Sequence, residues 1–265
     1  MARFRASAIV TSVVVSAGLL IASTFPHASS ATAAEVRIIA SDAVRLPMME
    51  ITSAFQKETS NQTVTTYGPF NTIEKRLAAD PKADIVFWSL SELNNLVRKD
   101  AIAPDYPKVV GRVRIAVGYR TGGQRPDVST IQKLRATIQN TSGFAYGNPA
   151  SGVPTDLHIV RIFDELGLGA EMKDKGLMRD GGINVMKEVA DRRVNLGFAQ
   201  ASEIVAFPGV SIGGFLPDAL QLTTVPAAAG TKAGKANPAA VALFARIVSE
   251  PTSYIFERTG FDIRR

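Results

Sequence analysis

The chain has 265 residues, with 30 lysines and arginines, 24 aspartates and glutamates, and no cysteine. Because there is no cysteine, a disulfide, a thiolate nucleophile and a zinc–sulfur site are all excluded. The net charge of +6 favours anionic small molecules as ligands, but no basic run has the density that nucleic-acid binding requires.

The region 1–34 has the pattern of a secretory signal peptide. Arg3 and Arg5 precede an uncharged apolar run, Ala6 to Thr24, and small residues follow it. We expect cleavage near Ala33 or Ala34 and an exported, periplasmic chain of roughly 230 residues, which is long enough for two lobes. The apolar run is also long enough for an uncleaved membrane anchor, which is the alternative.

Three strand–helix units follow the predicted signal. Apolar periodicity predicts strands over 36–41, 64–68 and 83–88, and a helix begins shortly after each strand. The first helix has Met48, Ile51, Ala54 and Phe55 on one face. Strands that alternate with helices predict an α/β fold with parallel pairing, in which ligands bind beyond the carboxyl ends of the strands.

Polar residues stand at each of these three helix starts. Ser41 or Asp42 is placed to cap the first helix, and Asn71 and Ser89 each have a glutamate three residues later, which is capping-box spacing. A single residue of this kind is more often only a cap than a ligand contact. Because the three starts follow neighbouring strands, we expect Ser41, Asn71 and Ser89 to lie together around one pocket.

A fourth strand–helix unit runs from Phe144 to Leu166 and contains a Gly/Pro-rich loop. Pro154 fits the first turn of its helix, where the missing N–H has no intrahelical partner. Backbone N–H groups at such a helix start form a natural anion site. The predicted buried face of this helix is Val153, Leu157, Val160, Phe163 and Leu166.

The remaining segments complete an α/β pattern. We predict a strand over 112–118, a loop over 121–126, a helix over 130–138, a helix over 183–192, and a strand over 194–199 that ends at Gln200. A strand over 220–228 and helices that begin at Pro238 and Pro251 follow. No metal-ligand spacing or cofactor motif appears in the sequence, so neither a metal nor a cofactor is predicted.

Taken in order, the motifs resemble a known family across the chain after residue 34. The chain resembles the periplasmic substrate-binding proteins of ABC importers, specifically the molybdate-binding type. The segments that carry the resemblance are Ala40-Ser41, Phe55 to Thr59, Tyr67-Gly68, Ala83 to Ser89, Gly147 to Pro154, Leu196 to Ala199, Pro226 to Ala229 and Ile255 to Phe261.

The resemblance implies a two-lobed fold, each lobe a mostly parallel sheet flanked by helices, with two hinge crossings. Lobe one would comprise 35–117 and 210–265, and lobe two 118–209. A small anion would be held between the lobes and delivered by a monomer to the membrane subunits of an ABC permease. By the resemblance, the ligand-binding residues are Ser41, Phe70, Asn71, Ala150 or Ser151, Val153 and Gln200. Asp42, Ser89, Gly152 and Thr155, which stand at the same strand ends and helix starts, complete the predicted set.

Three departures from the family pattern leave the ligand open between an oxyanion such as molybdate or tungstate and a small organic acid. Pro69-Phe70 replaces a serine-rich turn, which removes one backbone donor and adds an aromatic ring. Gln200 replaces a tyrosine, and an amide both donates and accepts. Asn148 replaces an aspartate. Arg45 would favour an organic acid if its guanidinium reached the ligand, although a solvent-facing role is more common.

An exported enzyme on the same fold is the alternative function. His27 lies in the predicted signal, and His158 has no acidic or serine partner suggested by spacing, so we expect a satisfied surface role for His158. Asp42 or Glu203 could act as a base at the crevice, but neither has a paired nucleophile in the sequence. The prediction is therefore a binding protein rather than an enzyme.

Overall fold

The computed structural model of the protein describes Met1 and residues 33–103 and 106–263. The predicted signal peptide, with its apolar run and His27, lies outside the described residues except for Met1, Ala33 and Ala34. Ala33–Arg265 form one compact unit. Within the described part of this unit, no helix is both long enough and apolar enough to cross a membrane.

Strands and helices alternate along most of the chain. The strands are β1 (Glu35–Ser41), β2 (Gln62–Gly68), β3 (Ile85–Ser89), β4 (Lys108–Val109), β5 (Val113–Arg120), β6 (Phe144–Gly147), β7 (Gly176–Arg179), β8 (Leu196–Gln200), β9 (Val210–Phe215), β10 (Thr223–Thr224) and β11 (Pro226–Gly230). The helices are α1 (Arg45–Thr59), α2 (Ile73–Ala79), α3 (Leu90–Arg98), α4 (Ile131–Asn140), α5 (Pro154–Glu165), α6 (Gly169–Lys175), α7 (Gly182–Ala190), α8 (Ala201–Val205), α9 (Lys232–Ala236), α10 (Pro238–Ile247) and α11 (Glu250–Arg258).

The first sheet has the strand order β2-β1-β3-β11-β4. Strand β1 pairs in parallel with β2 and β3, so Ser41, Gly68 and Ser89 end their strands at one edge of the sheet. Strand β11 runs antiparallel to β3 and brings Pro226 opposite Ser89. This edge is where the sequence predicts the pocket.

The second sheet has the strand order β10-β5-β8-β6-β7, and β9 also pairs with β5. Strand β6 is parallel to β7 and β8, whereas β5 is antiparallel to β8, β9 and β10. The predicted two-lobed α/β fold is confirmed. Each sheet contains one strand that runs antiparallel to its neighbours, β11 in the first sheet and β5 in the second. The predicted lobe bounds remain a prediction, and the pairing of β9 and β10 with β5 favours a boundary later than residue 209.

The chain passes between the two sheets twice, at 110–112 and at Val225. The second passage is abrupt, because Thr224 pairs with Val113 in the second sheet while Pro226 pairs with Ser89 in the first. The sequence predicts one strand over 220–228, but this change of sheet divides it into β10 and β11.

Helix α5 is rotated relative to its predicted buried face. Ile159, Ile162 and Phe163 pack into the second lobe's core with Phe144 and Phe198, while Leu157 is 49% exposed. The rotation also buries Thr155 and Asp156, each 4% exposed, at the helix start. Of the predicted face, Phe163 is buried and Val160 and Leu166 pack partly buried against the same core, so the prediction was wrong for Leu157 and missed Ile159 and Ile162, which form a second apolar series with the same spacing.

The predicted helix caps have different outcomes. Ser89 Oγ accepts a hydrogen bond from the N–H of Glu92 at 3.2 Å, as predicted. Ser41 caps nothing through its side chain, and the carboxylate of Asp42 binds Arg45 instead. Asn71 lies exposed inside a 3-10 turn, Phe70–Thr72, so the capping box predicted at this start does not form.

Candidate functional site

A cavity of about 40 Å³ lies between the strand ends of the first sheet and the helix starts of the second. This volume is far below the roughly 300–1,000 Å³ of pockets that enclose drug-sized ligands, so a ligand larger than a few atoms requires the cleft to open. The first sheet contributes Ser41, Asp42, Ala43, Pro69, Phe70, Trp88 and Ser89; the second contributes Val153, Thr155, Asp156, Gly181, Gly182, Gln200 and Glu203; and the passage between sheets contributes Thr224 and Pro226.

Most of the residues predicted to bind the ligand line this cavity. They are Ser41, Asp42, Phe70, Ser89, Val153, Thr155 and Gln200. Asn71, Ser151 and Gly152 lie outside the lining: Asn71 and Gly152 are exposed, and Gly152 takes the left-handed conformation that ends the turn before α5. Ser151 lies one layer behind, where its hydroxyl donates to Asp156 at 3.3 Å. Whether any of these residues contacts a ligand remains a prediction.

The charged groups that line the cavity are all carboxyl groups. Asp42, Asp156 and Glu203 belong to the lining, and no lysine or arginine is among the described residues that form it. In the described part of the chain, no group of three histidine, aspartate or glutamate side chains is arranged to hold a metal ion. The protonation of these carboxyl groups therefore sets the charge of the site.

The carboxyl group of Asp156 lies beside Gly147 at the end of β6, in the space that a side chain at residue 147 would fill. A Cβ atom on Gly147 would stand 1.8 Å from Asp156 Oδ1, so only glycine leaves room for this carboxyl group. Burial raises the pKa of Asp156 to about 7, and the nearby charge of Asp180 acts in the same direction. Near neutral pH the carboxyl group is then divided between its acid and ionised forms.

Glu203 occupies a similar space at the start of α7. A Cβ atom on Gly182 would stand 2.1 Å from Glu203 Oε2. The same oxygen accepts a hydrogen bond from the N–H of Gln200 at 3.1 Å. Burial raises the pKa of Glu203 to about 8, and the charges of Asp156 and Asp42 add to this effect. The group is therefore mainly protonated at pH 7, so its O–H is available as a donor.

Asp42 differs from the other two carboxyl groups because it has a cationic partner. Its Oδ1 accepts from Arg45 Nη2 at 2.5 Å, and the guanidinium carbon lies 4.5 Å from the centre of the Tyr67 ring. Burial raises the pKa of Tyr67 to about 12, so its ring faces Arg45 in the neutral form. Arg45 supports the site from behind Asp42 and does not itself line the cavity.

Gln200 links the helix start of α8 to two threonines. Its Nε2 donates to Thr155 Oγ1 at 3.2 Å and to Thr224 Oγ1 at 3.0 Å. Its Oε1 is buried and faces the backbone N–H of Glu203 in a capping box at the start of α8, but within the described structure it forms no aligned hydrogen bond. A buried acceptor without an aligned hydrogen bond costs free energy, so this atom is a natural contact for a ligand.

Trp88 and Phe70 form the aromatic wall of the cavity. Their ring centres are 5.5 Å apart in a tilted arrangement. Trp88 is only 6% exposed, and its Nε1–H is buried without a partner among the described residues. The wall therefore combines apolar surface with one unused donor.

In the sequence analysis, Glu203 appears only as a possible base at the crevice. The sequence analysis does not identify Asp156, Trp88, Gly182 or Thr224 as site residues. The Gly181-Gly182 pair at the start of α7 is the signal that could have shown a close approach of another group. His158 takes no part in the site: its Nε2 is 2.8 Å from the carbonyl oxygen of Leu220, which agrees with the satisfied role expected for it.

Solved structures share this fold. The substrate-binding domain of a putative molybdenum ABC transporter from Clostridium difficile superposes with a TM-score of 0.65 at 19% identity, covering 88% of this chain and all of that chain. The periplasmic molybdate-binding protein of Azotobacter vinelandii gives a TM-score of 0.70 at 16% identity, covering 87% of this chain and all of that one. These likenesses confirm the predicted type II periplasmic binding fold.

A curated relative extends the comparison to sequence. Aconitate isomerase from Pseudomonas sp is 29% identical over 248 residues, which is 91% of this chain and 92% of the relative. The family model for bacterial extracellular solute-binding proteins matches residues 36–262. The strand ends, helix starts and cavity are arranged as the type II periplasmic binding fold requires. The chain belongs to the bacterial extracellular solute-binding proteins.

Proposed function

We propose that the protein binds a small carboxylic acid between its two lobes outside the cytoplasm and delivers it to an ABC permease. The observation that carries this proposal is the composition of the cavity. Hydroxyl and backbone groups at the helix starts beside each sheet line the cavity together with the aromatic wall of Phe70 and Trp88. Export through the predicted signal peptide, cleavage near Ala33 or Ala34, a monomeric state and the permease partner are parts of this proposal.

The composition of the cavity supports a carboxylic acid over molybdate or tungstate. Pro69 has no N–H to offer an oxyanion, and Phe70 with Trp88 provides apolar surface that suits a carbon skeleton. The protonated carboxyl group of Glu203 can donate to a carboxylate without adding a negative charge. An acid with several carbon atoms uses all of these features, whereas a tetrahedral oxyanion leaves the aromatic wall without a partner.

A thermal-shift screen of the purified protein tests the proposal. Small di- and tricarboxylic acids should raise the melting temperature by mass action, whereas molybdate, tungstate and sulfate should not. We expect Phe70→Ala to weaken binding of the best acid about tenfold, roughly 1.4 kcal/mol, through lost apolar contact. Met49→Ala, which shortens an exposed apolar side chain outside the cavity lining, is the matched control. Stabilisation by the oxyanions alone contradicts the proposal.

Isomerisation of aconitate by an exported enzyme is the second candidate function. It is favoured by the relative that is an aconitate isomerase and by two carboxyl groups in one cavity, Asp156 and Glu203, whose pKa values of about 7 and 8 suit proton transfer at neutral pH. One carboxylate would remove a proton from the CH₂ group beside the double bond. The electron pair would shift the double bond, and the other carboxyl group would return a proton to the far carbon.

Incubation of the protein with cis-aconitate or trans-aconitate, followed by proton NMR, separates the two functions. Under the isomerase candidate, either isomer is converted to the same mixture, and Glu203→Gln or Asp156→Asn slows conversion by about 10²-fold or more, a typical general acid–base contribution. Under the binding proposal, carboxylic acids raise the melting temperature and aconitate is recovered unchanged.

A further inference from the structure

Two residues that line the cavity each carry a buried polar atom without an aligned hydrogen bond in the described structure, one an acceptor and the other a donor. The acceptor, Gln200 Oε1, belongs to the second sheet and the donor, Trp88 Nε1, to the first. An oxyanion without protons supplies only acceptors, so it can satisfy Trp88 but not Gln200. A ligand that satisfies both atoms must carry a donor as well as an acceptor.

The orientation of the Gln200 amide follows from its neighbours. Thr224 Oγ1 lies 3.4 Å from the carbonyl oxygen of Val113 and donates its proton there. Thr224 can then only accept from Gln200, which places the amide nitrogen toward the threonines at 3.0 and 3.2 Å. The oxygen of the amide is therefore the atom left for the ligand.

We propose that the ligand is a hydroxy acid, whose hydroxyl donates to Gln200 Oε1 while a carboxylate accepts from Trp88 Nε1. This inference rests on the proposed binding of a small carboxylic acid and narrows its ligand class. Because the two contacts come from different sheets, a ligand that makes both of them spans the cleft from one sheet to the other. An acid without the hydroxyl leaves the Gln200 oxygen buried without an aligned hydrogen bond, which costs binding free energy.

Pairs of acids that differ by a single hydroxyl test the inference. Isothermal titration of the purified protein compares malate with succinate, and citrate with tricarballylate. The acid with the hydroxyl should bind at least about tenfold more tightly in whichever pair fits, since a site built for a hydroxyl rejects the analogue that lacks it.

Three variants assign the two contacts. Gln200→Met removes the acceptor and should abolish the preference for the hydroxyl, whereas Gln200→Glu keeps an acceptor at this position and should retain the preference. Trp88→Phe removes the indole N–H and should weaken both acids of a pair by the same factor. Melting temperatures without ligand show whether each variant is folded.

The outcomes separate this inference from the proposed function. If carboxylic acids bind but the hydroxyl makes no difference in the unmodified protein, the hydroxy-acid inference is wrong and the binding proposal stands. If no carboxylic acid binds, the proposed function itself fails. A hydroxyl preference that persists in Gln200→Met overturns the role assigned to Gln200.

Discussion

Gly147 faces Asp156 so closely that a Cβ atom at residue 147 would stand 1.8 Å from Asp156 Oδ1. The strand β6 and the helix start of α5 therefore approach each other around a carboxyl group, not around an apolar side chain. Asp156 can hold its position in the cavity because residue 147 is a glycine, which has no Cβ atom.

We expect Gly147→Ala to displace Asp156 and to lower the free energy of unfolding by about 1–3 kcal/mol, the usual cost of overpacking. Ligand binding should weaken as well. Urea denaturation measures the first effect and titration the second. Gly169→Ala is the matched control, because a Cβ atom there meets nothing within 4 Å and should leave stability nearly unchanged. Equal stability of the two variants would falsify the close contact.

Stability should fall as the pH rises through the neutral range. Burial raises the pKa of Glu203 from 4.5 to about 8, so between these values the unfolded chain releases a proton that the folded protein keeps. The contribution of Glu203 to stability is thus complete below about pH 4.5 and lost as pH rises to about 8. Asp156 acts in the same direction between 3.8 and about 7.

Melting temperatures of the unmodified protein and of Glu203→Gln, recorded from pH 5 to pH 9, test this dependence. The amide does not ionise, so the variant should show a flatter profile than the unmodified protein. If the two profiles run parallel, the pKa of Glu203 is not raised by the fold.

Arg45 should act on binding through Asp42. We expect Arg45→Ala to weaken binding of an acid anion about tenfold, roughly 1.4 kcal/mol, because the carboxylate of Asp42 is left without its cation beside the ligand. The double variant Asp42→Asn with Arg45→Ala should recover most of this loss, as a double-mutant cycle will show. Arg76→Ala, which removes a cation outside the cavity, is the control. If the double variant stays weak, Arg45 contacts the ligand directly.

Ser89 and Ser41 should differ in what they stabilise. Ser89 caps α3, so Ser89→Ala should lower the free energy of unfolding by about 1 kcal/mol. The hydroxyl of Ser41 forms no cap, so Ser41→Ala should change stability by less than about 0.5 kcal/mol but weaken ligand binding. Denaturation and titration of both variants give the comparison. A large stability loss in Ser41→Ala together with unchanged binding contradicts this division.

The order of strands and helices and the edge of the sheet where the cavity lies could be predicted, because they depend on local periodicity and on the parallel pairing of β1, β2 and β3. Ser41 and Ser89 were found for this reason, because each stands where a strand ends. Gln200, which also ends a strand, was implied by the family resemblance. Periodicity does not choose between two apolar series on one helix, so the predicted face of α5 included the exposed Leu157 and omitted Ile159 and Ile162, and the burial of Asp156 was missed with them.

The remaining cavity residues depend on contacts between distant segments. Trp88 looks like an ordinary core residue of β3, and only the position of the second sheet shows that it also lines the cleft. Gly182 and Glu203 are 21 positions apart in the sequence. The space that Gly182 leaves for the carboxyl group of Glu203 is therefore formed only when α7 and α8 are packed together. The carboxyl chemistry of the site is a property of the tertiary structure.

The abrupt passage at Val225 has a mechanical consequence. Any rotation of one sheet against the other must be taken up by the backbone dihedral angles of this passage and of the passage at 110–112, and one angle beside Val225, φ of Pro226, is fixed by its ring. Thr224, directly before Val225, is hydrogen-bonded to Gln200 in the cavity. The passage beside Val225 is therefore restricted in how it can turn, and one hydrogen bond ties it directly to a side chain that lines the cavity.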